Sequence, residues 1–310
     1  MKRPYFDTLN QRKLSVEMRI LIFGNGLIGS SLIENFLQEG HDLHVYSRGP
    51  QNDFRFVYTE ADIFDSTKVL EALAWNPQVI VHTTWITTPG LYKNDQSNFL
   101  YAESLISLAR KVCSTQLQHL IVLGTCAEYG SQVEPIKAGS TTLNPSSFYS
   151  QQKVRAFRVV QELMSSSGTR FTWARIFYPY GPNQDKRRLI PMLIHSLSKN
   201  VPIVLDDVSS VYDWISSRDI ASAISWVISH ELPTELDIAT SVGYTNLQVL
   251  QALEKILNIQ SGYPDYSIEH KYGLEENYVA SKNSPIFKSG WMAQDSLFSG
   301  LDWTVKNCLH

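Results

Sequence analysis

Regular patterning begins at "RILIF" (19–23), an apolar run that stops at a glycine, as a buried strand does. Behind it Leu27, Ile28, Leu32, Ile33, Phe36 and Leu37 recur at helical spacing until Gly40, and "LHVYS" (43–47) supplies the next strand. "VIVHTTW" (79–85) and "HLIVLGT" (119–125) are two further β-rich runs, with the helical stretch "NFLYAESLISLARK" (98–111) between them. A helix over about 147–167 then leads into "RFTWARIF" (170–177). Strands alternating with helices predict right-handed βαβ units, hence an α/β fold with a doubly wound parallel sheet covered on both faces.

Beyond residue 178 the Pro/Gly-rich "YPYGPN" changes the texture, and a smaller, less regular region follows without a low-complexity linker. The expected division is a tail (1–17), a dinucleotide-binding domain (18–177, with 211–240 returning to it) and a substrate-binding lobe (178–210 and 241–310). Nothing repeats at a solenoid period. With 43% hydrophobic and 18% charged residues, the chain reads as an ordinary globular protein. A formal charge of −3 gives no reason to expect nucleic acid as a partner. The three scattered cysteines make neither a disulfide framework nor a metal site, and no His/Cys/Asp cluster has metal spacing. No apolar run reaches membrane-helix length, and the basic first 17 residues lack a signal peptide's apolar segment. The expectation is a soluble cytoplasmic protein with a short basic tail, with a homodimer as the assembly considered.

The candidate chemistry starts at "GNGLIG", where Gly24, Gly26 and Gly29, with Leu27 and Ile28 between, form GxGxxG after a strand and at the opening of a helix. The first glycine permits the tight turn, the second lets a pyrophosphate approach the backbone, and the third allows close helix–strand packing. This is the Rossmann arrangement. An NAD-preferring site places Asp or Glu about 20 residues on; here the second strand ends in Ser47-Arg48, which suits a 2′-phosphate. NADP(H) is therefore favoured and NAD(H) is the alternative; Arg48 is otherwise a solvated surface arginine. Asp62 either meets the adenine amine or caps the following helix.

Two tyrosines stand one helical turn before a lysine, Tyr149–Lys153 and Tyr278–Lys282. Tyr149 opens a helix on the cofactor half, where the lysine ammonium and a nicotinamide's charge both favour the phenolate, and where Lys153 has donors for the nicotinamide ribose. Thr125 ends a strand at the carboxyl edge, opposite it. Tyr278–Lys282 reads as coincidence.

These motifs resemble those of the extended short-chain dehydrogenase/reductases, the sugar-nucleotide epimerase, dehydratase and reductase group. "GTCAEYG" (124–130) is similar to S-[ST]-x-x-V-Y-G and "YSQQK" matches YxxxK. "ARIFYPYGP" (174–182) resembles LRxxNxYGP, "YDWISSRDIASAI" (212–224) resembles RDFIxVxDxAxAI, and "GWMAQDSLFSGL" (290–301) resembles the closing GWxPxxxLxxGL. The resemblance implies hydride transfer at a sugar carbon with Thr125, Tyr149 and Lys153 as the acting trio. It has departures. The glycine turn is a residue shorter than the family's GxxGxxG. Cys126-Ala127 stands where the dehydratases carry Asp-Glu, and Tyr178 replaces an asparagine that touches the nucleotide sugar.

By family position His82 adjoins the cofactor, as a satisfied strand-end side chain, and Thr83 and Thr84 add hydrogen bonds to it. Lys186, Arg187 and Arg188 either hold a nucleotide diphosphate or form a solvated charge run. Arg218 either sits near the substrate or pairs with Asp219. Trp85, Trp173 and Trp214 read as core. The leading expectation is NADPH-dependent reduction of a 4-keto nucleotide sugar. An NAD-dependent 4-epimerase is the alternative enzyme, and a non-catalytic NADP-binding regulator the alternative class.

Overall fold

Alternation of apolar residues along β1 (Arg19–Phe23) sends Ile20 and Ile22 to one face and Leu21 and Phe23 to the other, and all four are fully buried. The computed structural model describes residues 17–205, 207–259, 267–268 and 277–308, so the expected tail lies outside the described residues save for Glu17. After β1 come α1 (Leu27–Gln38), β2 (Asp42–Ser47), β3 (Val57–Glu60), α2 (Ser66–Ala74) and β4 (Val79–His82). Then follow α3 (Ser97–Val112), β5 (His119–Thr125), a single 3-10 turn over Cys126–Glu128, α4 (Phe148–Ser165) and β6 (Arg170–Ile176). The rest comprises β7 (Tyr178–Tyr180), α5 (Leu189–Lys199), β8 (Val204–Leu205), β9 (Val211–Tyr212), β10 (Trp214–Ser216), α6 (Ser217–Ser229) and β11 (Glu235–Ile238). Last come β12 (Tyr244–Thr245), α7 (Asn246–Leu257), β13 (Ser267–Ile268), β14 (Asn277–Tyr278), α8 (Pro285–Lys288) and α9 (Leu297–Cys308).

The central sheet has the order β11-β6-β5-β4-β1-β2-β3, with every pairing parallel. Its order reverses between β1 and β4, the switch point at which an open α/β sheet offers a crevice. α1 and α6 cover one face through Leu32, Phe36, Ile220 and Ile224; α3 and α4 cover the other through Leu105, Ile106, Phe157 and Val160. A third core, including Phe177, Leu193, Trp214, Leu250 and Leu301, belongs to the later segments, while α6 and β11 return to the sheet.

One strand ends early. The run 79–85 predicts β structure through Trp85, but β4 stops at His82. Thr83 donates its N–H (2.8 Å) and hydroxyl (2.9 Å) to the Phe23 carbonyl, and Thr83, Thr84 and Trp85 turn out of the ladder to line the crevice.

Candidate active site

The crevice is a cleft of about 1030 Å³ running from the glycine turn, past the ends of β4 and β5, to the face of the third core. At its cofactor end the three glycines are each constrained differently. Gly24 has φ +105°, and a Cβ there would stand 2.4 Å from the Thr83 hydroxyl; a Cβ on Gly29 would stand 2.1 Å from the Gly24 carbonyl. A Cβ on Gly26 would meet nothing within 4 Å, so the space above it is open. Gly26 is also the N-cap of α1, and no side chain caps that helix. The turn thus presents uncapped N–H groups to an open space, as a pyrophosphate requires, and the residues present fit a dinucleotide.

Ser47 and Arg48 line the cleft beyond this turn, where no carboxylate lines it. Arg48 is exposed, with Asp62 at 3.9 Å, a contact of little strength. Asp62 itself does not line the cleft and does not cap α2. Asp65 is the cap, accepting from the N–H groups of Thr67 and Lys68, while Asp62 accepts from Phe64 N–H (3.1 Å).

The structure brings Thr125, Tyr149 and Lys153 together. Thr125 ends β5 in extended conformation, and its N–H donates to Glu128 Oε1 (2.9 Å) in a reciprocal cap of the 3-10 turn. Ser147 caps α4, exchanging bonds with Ser150, so Tyr149 and Lys153 stand one turn apart at the helix start. The Thr125 side chain neighbours the Tyr149 hydroxyl. The Tyr149 ring packs edge-on against Tyr92 (5.0 Å between centroids) and Trp85 (6.4 Å). Burial raises the phenol above its ordinary value, Tyr92 adds to this, and the neighbouring Thr125 side chain opposes it. The sequence predicts a phenol lowered by Lys153 together with a bound nicotinamide. Burial outweighs that effect, because the ammonium is itself pushed down to about 7, with Glu128 opposing. Lys153 Nζ donates to the Leu123 carbonyl (2.7 Å) and lies 3.9 Å from the centre of the Trp85 ring.

Other predicted residues fall differently. His82 is buried, but neither ring nitrogen has a partner among the described residues, so it is not the satisfied strand-end side chain expected. Burial, with the Lys153 charge adding, holds it down at about 3, so it stays neutral. Of the three cations after the GP turn, Arg187 and Arg188 line the cleft and Lys186 does not. Arg187 is paired with Asp185 (2.6 Å), and Arg188 bonds the Thr87 carbonyl and lies 5.0 Å over Tyr92. Arg218 lies outside the cleft, in a separate groove of about 690 Å³ behind α1. Its fork grips Asp295 and it stacks on Trp303 at 4.7 Å; it does not pair with Asp219, which instead accepts the N–H groups of Gln294 and Asp295.

Tyr178 lines the far end of the cleft within an aromatic cluster: Tyr212 at 4.3 Å, Trp214 at 5.4 Å and Tyr278 at 5.9 Å. Tyr278 therefore faces the site, as part of a wall. Lys282 is exposed in a turn, so this pair does not share a helical face. Trp173 is core, whereas Trp85 and Trp214, expected there, also line the cleft. Tyr92, Tyr212 and Glu128, to which the sequence assigned no role, also shape the site. Only Tyr212 carried a signal, as the residue standing where the RDF motif has arginine. Among the described residues no group of three or more His, Cys, Asp or Glu side chains is placed to hold a metal, and no helix is long and apolar enough to cross a membrane.

A parallel sheet with a glycine turn at its switch point, and a Thr-Tyr-Lys trio beside it, defines a nicotinamide-dependent enzyme of the extended short-chain dehydrogenase/reductase class. Residues 20–239 match the model of the NAD dependent epimerase/dehydratase family, and the chain belongs to that family. The chain is 21% identical over 282 residues to a UDP-glucose 4-epimerase of Lactobacillus helveticus, covering 79% of this chain and 84% of that one. To a dTDP-glucose 4,6-dehydratase of Mycolicibacterium smegmatis it is 24% identical over 318 residues, with 94% of each covered. Among solved structures, UDP-glucose 4-epimerase of Thermotoga maritima with UDP-glucose superposes with a TM-score of 0.80 at 20% identity, covering 94% of this chain and 98% of that one. The dTDP-glucose 4,6-dehydratase of Bacillus anthracis with NAD gives 0.79 at 22% identity, with 94% and 96% covered.

Proposed function

We propose that the chain is an NADP(H)-favouring reductase of a keto sugar carried on a nucleotide. The observation that carries this reading is the Thr125–Tyr149–Lys153 trio beside the dinucleotide turn, with the phenol held in its protonated form. A bound nicotinamide supplies the hydride. Tyr149 gives its proton to the carbonyl oxygen, Thr125 hydrogen-bonds the same oxygen as charge develops, and Lys153 favours the phenolate left behind. A neutral phenol suits an acid, hence reduction, better than it suits a base. Elimination of water would need a free carboxyl group; Glu128 is fully buried and bonded to Thr125, Trp173 and Arg175, and of the carboxylates lining the cleft Asp185 is paired with Arg187 and Asp207 accepts from Ser210 and Tyr212. Cys126 is buried with its thiol pushed well up, and Ala127 is inert. The wall around Tyr178 suits the flat base of a nucleotide, and Arg187 and Arg188 lie on the way to it.

A second reading, 4-epimerase, is favoured by the names of the relatives and uses the same trio without net redox change. Offering 4-keto-6-deoxy nucleotide sugars with NADPH should consume the cofactor stoichiometrically. Interconversion of UDP-hexoses without net redox change would instead move the protein to the second reading. For the cofactor, NADPH should bind ahead of NADH by roughly ten- to a hundredfold, the worth of one charge-assisted contact of about 1.5–3 kcal/mol. Arg48→Asp should reverse the order, read by fluorescence titration; equal affinity of the unchanged protein for both would refute the preference.

A further inference from the structure

Lys153 has an unusual neighbour. Its Nζ lies 3.9 Å from the centre of the Trp85 ring and 5.9 Å from that of Trp173, with the Leu123 carbonyl at 2.7 Å. Trp85 does not drift there by chance, since its Nε1 donates to Asn98 Oδ1 (2.8 Å). The Asn98 amide in turn donates to the carbonyls of Tyr92 and Asp95, both at 2.7 Å. Asn98 is fully buried on α3, and Tyr101, also on α3, stacks with the indole at 6.0 Å between ring centroids. The indole is therefore fixed from α3, and its face meets an ammonium that burial would otherwise discharge.

We propose that Trp85 is a positioning residue for Lys153. Its locked indole face holds the ammonium beside the Leu123 carbonyl and keeps it charged next to Tyr149. This rests on the reading of Lys153 as the tyrosine's partner in hydride transfer. The alternative is that Trp85 is a mere wall, which excludes water and so discharges the lysine. The two differ in sign. An aromatic face attracts a cation, and most strongly when both are desolvated; an inert wall only adds to the cost of the charge. The other charged or titratable groups around Lys153 are Glu128 from the turn after β5, whose charge favours the ammonium; His82 at the end of β4, held neutral; and Tyr149 on its own helix. Of these, Tyr149 meets the Trp85 ring edge-on at 6.4 Å, so Trp85→Phe, which keeps an aromatic ring there, is the variant that disturbs them least.

The test is the titration of Lys153 in the full chain with selectively 13C-labelled lysine, its signal assigned with Lys153→Met. Surface lysines titrate near 10.4, whereas Lys153 is held at about 7, so its midpoint stands apart. In Trp85→Leu the midpoint should fall by about one pH unit, the size of a desolvated cation–π contact. In Trp85→Phe, which keeps a weaker aromatic face, it should fall less. An unchanged or higher midpoint in Trp85→Leu overturns the proposal. If that variant does not fold, an unchanged or higher midpoint in Trp85→Phe does so. The titration needs neither substrate nor cofactor, so its failure is distinct from failure of the reductase reading. With turnover in hand, the alkaline limb of the pH–rate profile should move down with the midpoint, because the charged lysine is the working form.

Discussion

Tyr149→Phe is expected to bind the dinucleotide as well as the unchanged protein does and to turn over about 10²–10⁴-fold more slowly, the usual worth of a positioned general acid. The ring is kept, so its edge contacts with Tyr92 and Trp85 and the helix start capped by Ser147 are kept with it. What disappears is one hydroxyl, in the cleft that Thr125 and Lys153 also line. Thr125→Ala should also be severely slowed, by about 10²–10³ if its hydroxyl supports the developing oxyanion. Lys282→Met is the control: that lysine is exposed, outside the cleft, and should leave turnover unchanged. Steady-state rates beside a cofactor titration decide the matter. Full turnover by Tyr149→Phe would remove the phenol from the chemistry.

The strands and helices were legible because burial on both faces of a parallel sheet leaves continuous apolar runs, and α1, α3 and α4 repeat their apolar positions at helical spacing. The glycine turn and the Thr-Tyr-Lys trio were legible for a related reason: each sits at a fixed place relative to a strand end. What escaped depended on where chain segments end and meet. Trp85 closes an apolar run and looks like core; it reaches the cleft only because β4 stops three residues sooner. A cap was one of the two readings of Asp62, but the helix starts three residues later, where Asp65 caps it. Tyr178, Tyr212 and Tyr278 lie far apart along the chain and form one wall only through the pairing of β9 with β14 and of β7 with β10. Arg218 was expected either near the substrate or paired with Asp219, but it lies outside the cleft, Asp219 is engaged with the backbone before α9, and the partner is Asp295. The burial that raises the Tyr149 phenol was not legible, because spacing shows the charge of a lysine and not the depth at which the pair is buried.

Removing Arg175 alone is expected to destabilise the fold by about 3–5 kcal/mol, because it strands a buried carboxylate. Arg175 and Glu128 are fully buried, joined through Nε at 2.7 Å, and Arg175 also reaches Glu235 at 2.7 Å. Glu128 further accepts from Trp173 Nε1 (3.0 Å) and from Thr125 N–H (2.9 Å), so one carboxylate ties β5, β6 and the catalytic threonine proposed above into a single network. In Arg175→Met the Glu128 charge remains in a dry interior with its main counter-charge gone. Unfolding by urea should show the loss, and the denaturation midpoint should move without a change in slope. The double variant Glu128→Leu/Arg175→Met should then recover much of that stability, since a buried ion pair replaced on both sides by apolar groups is often near neutral. Its turnover should nevertheless stay low, because the Thr125 N–H has lost its anchor and the hydroxyl beside Tyr149 is no longer held. Recovery of both together would mean that the network serves only the fold; loss of stability equal to the sum of the single changes would mean that the two side chains do not act as a pair.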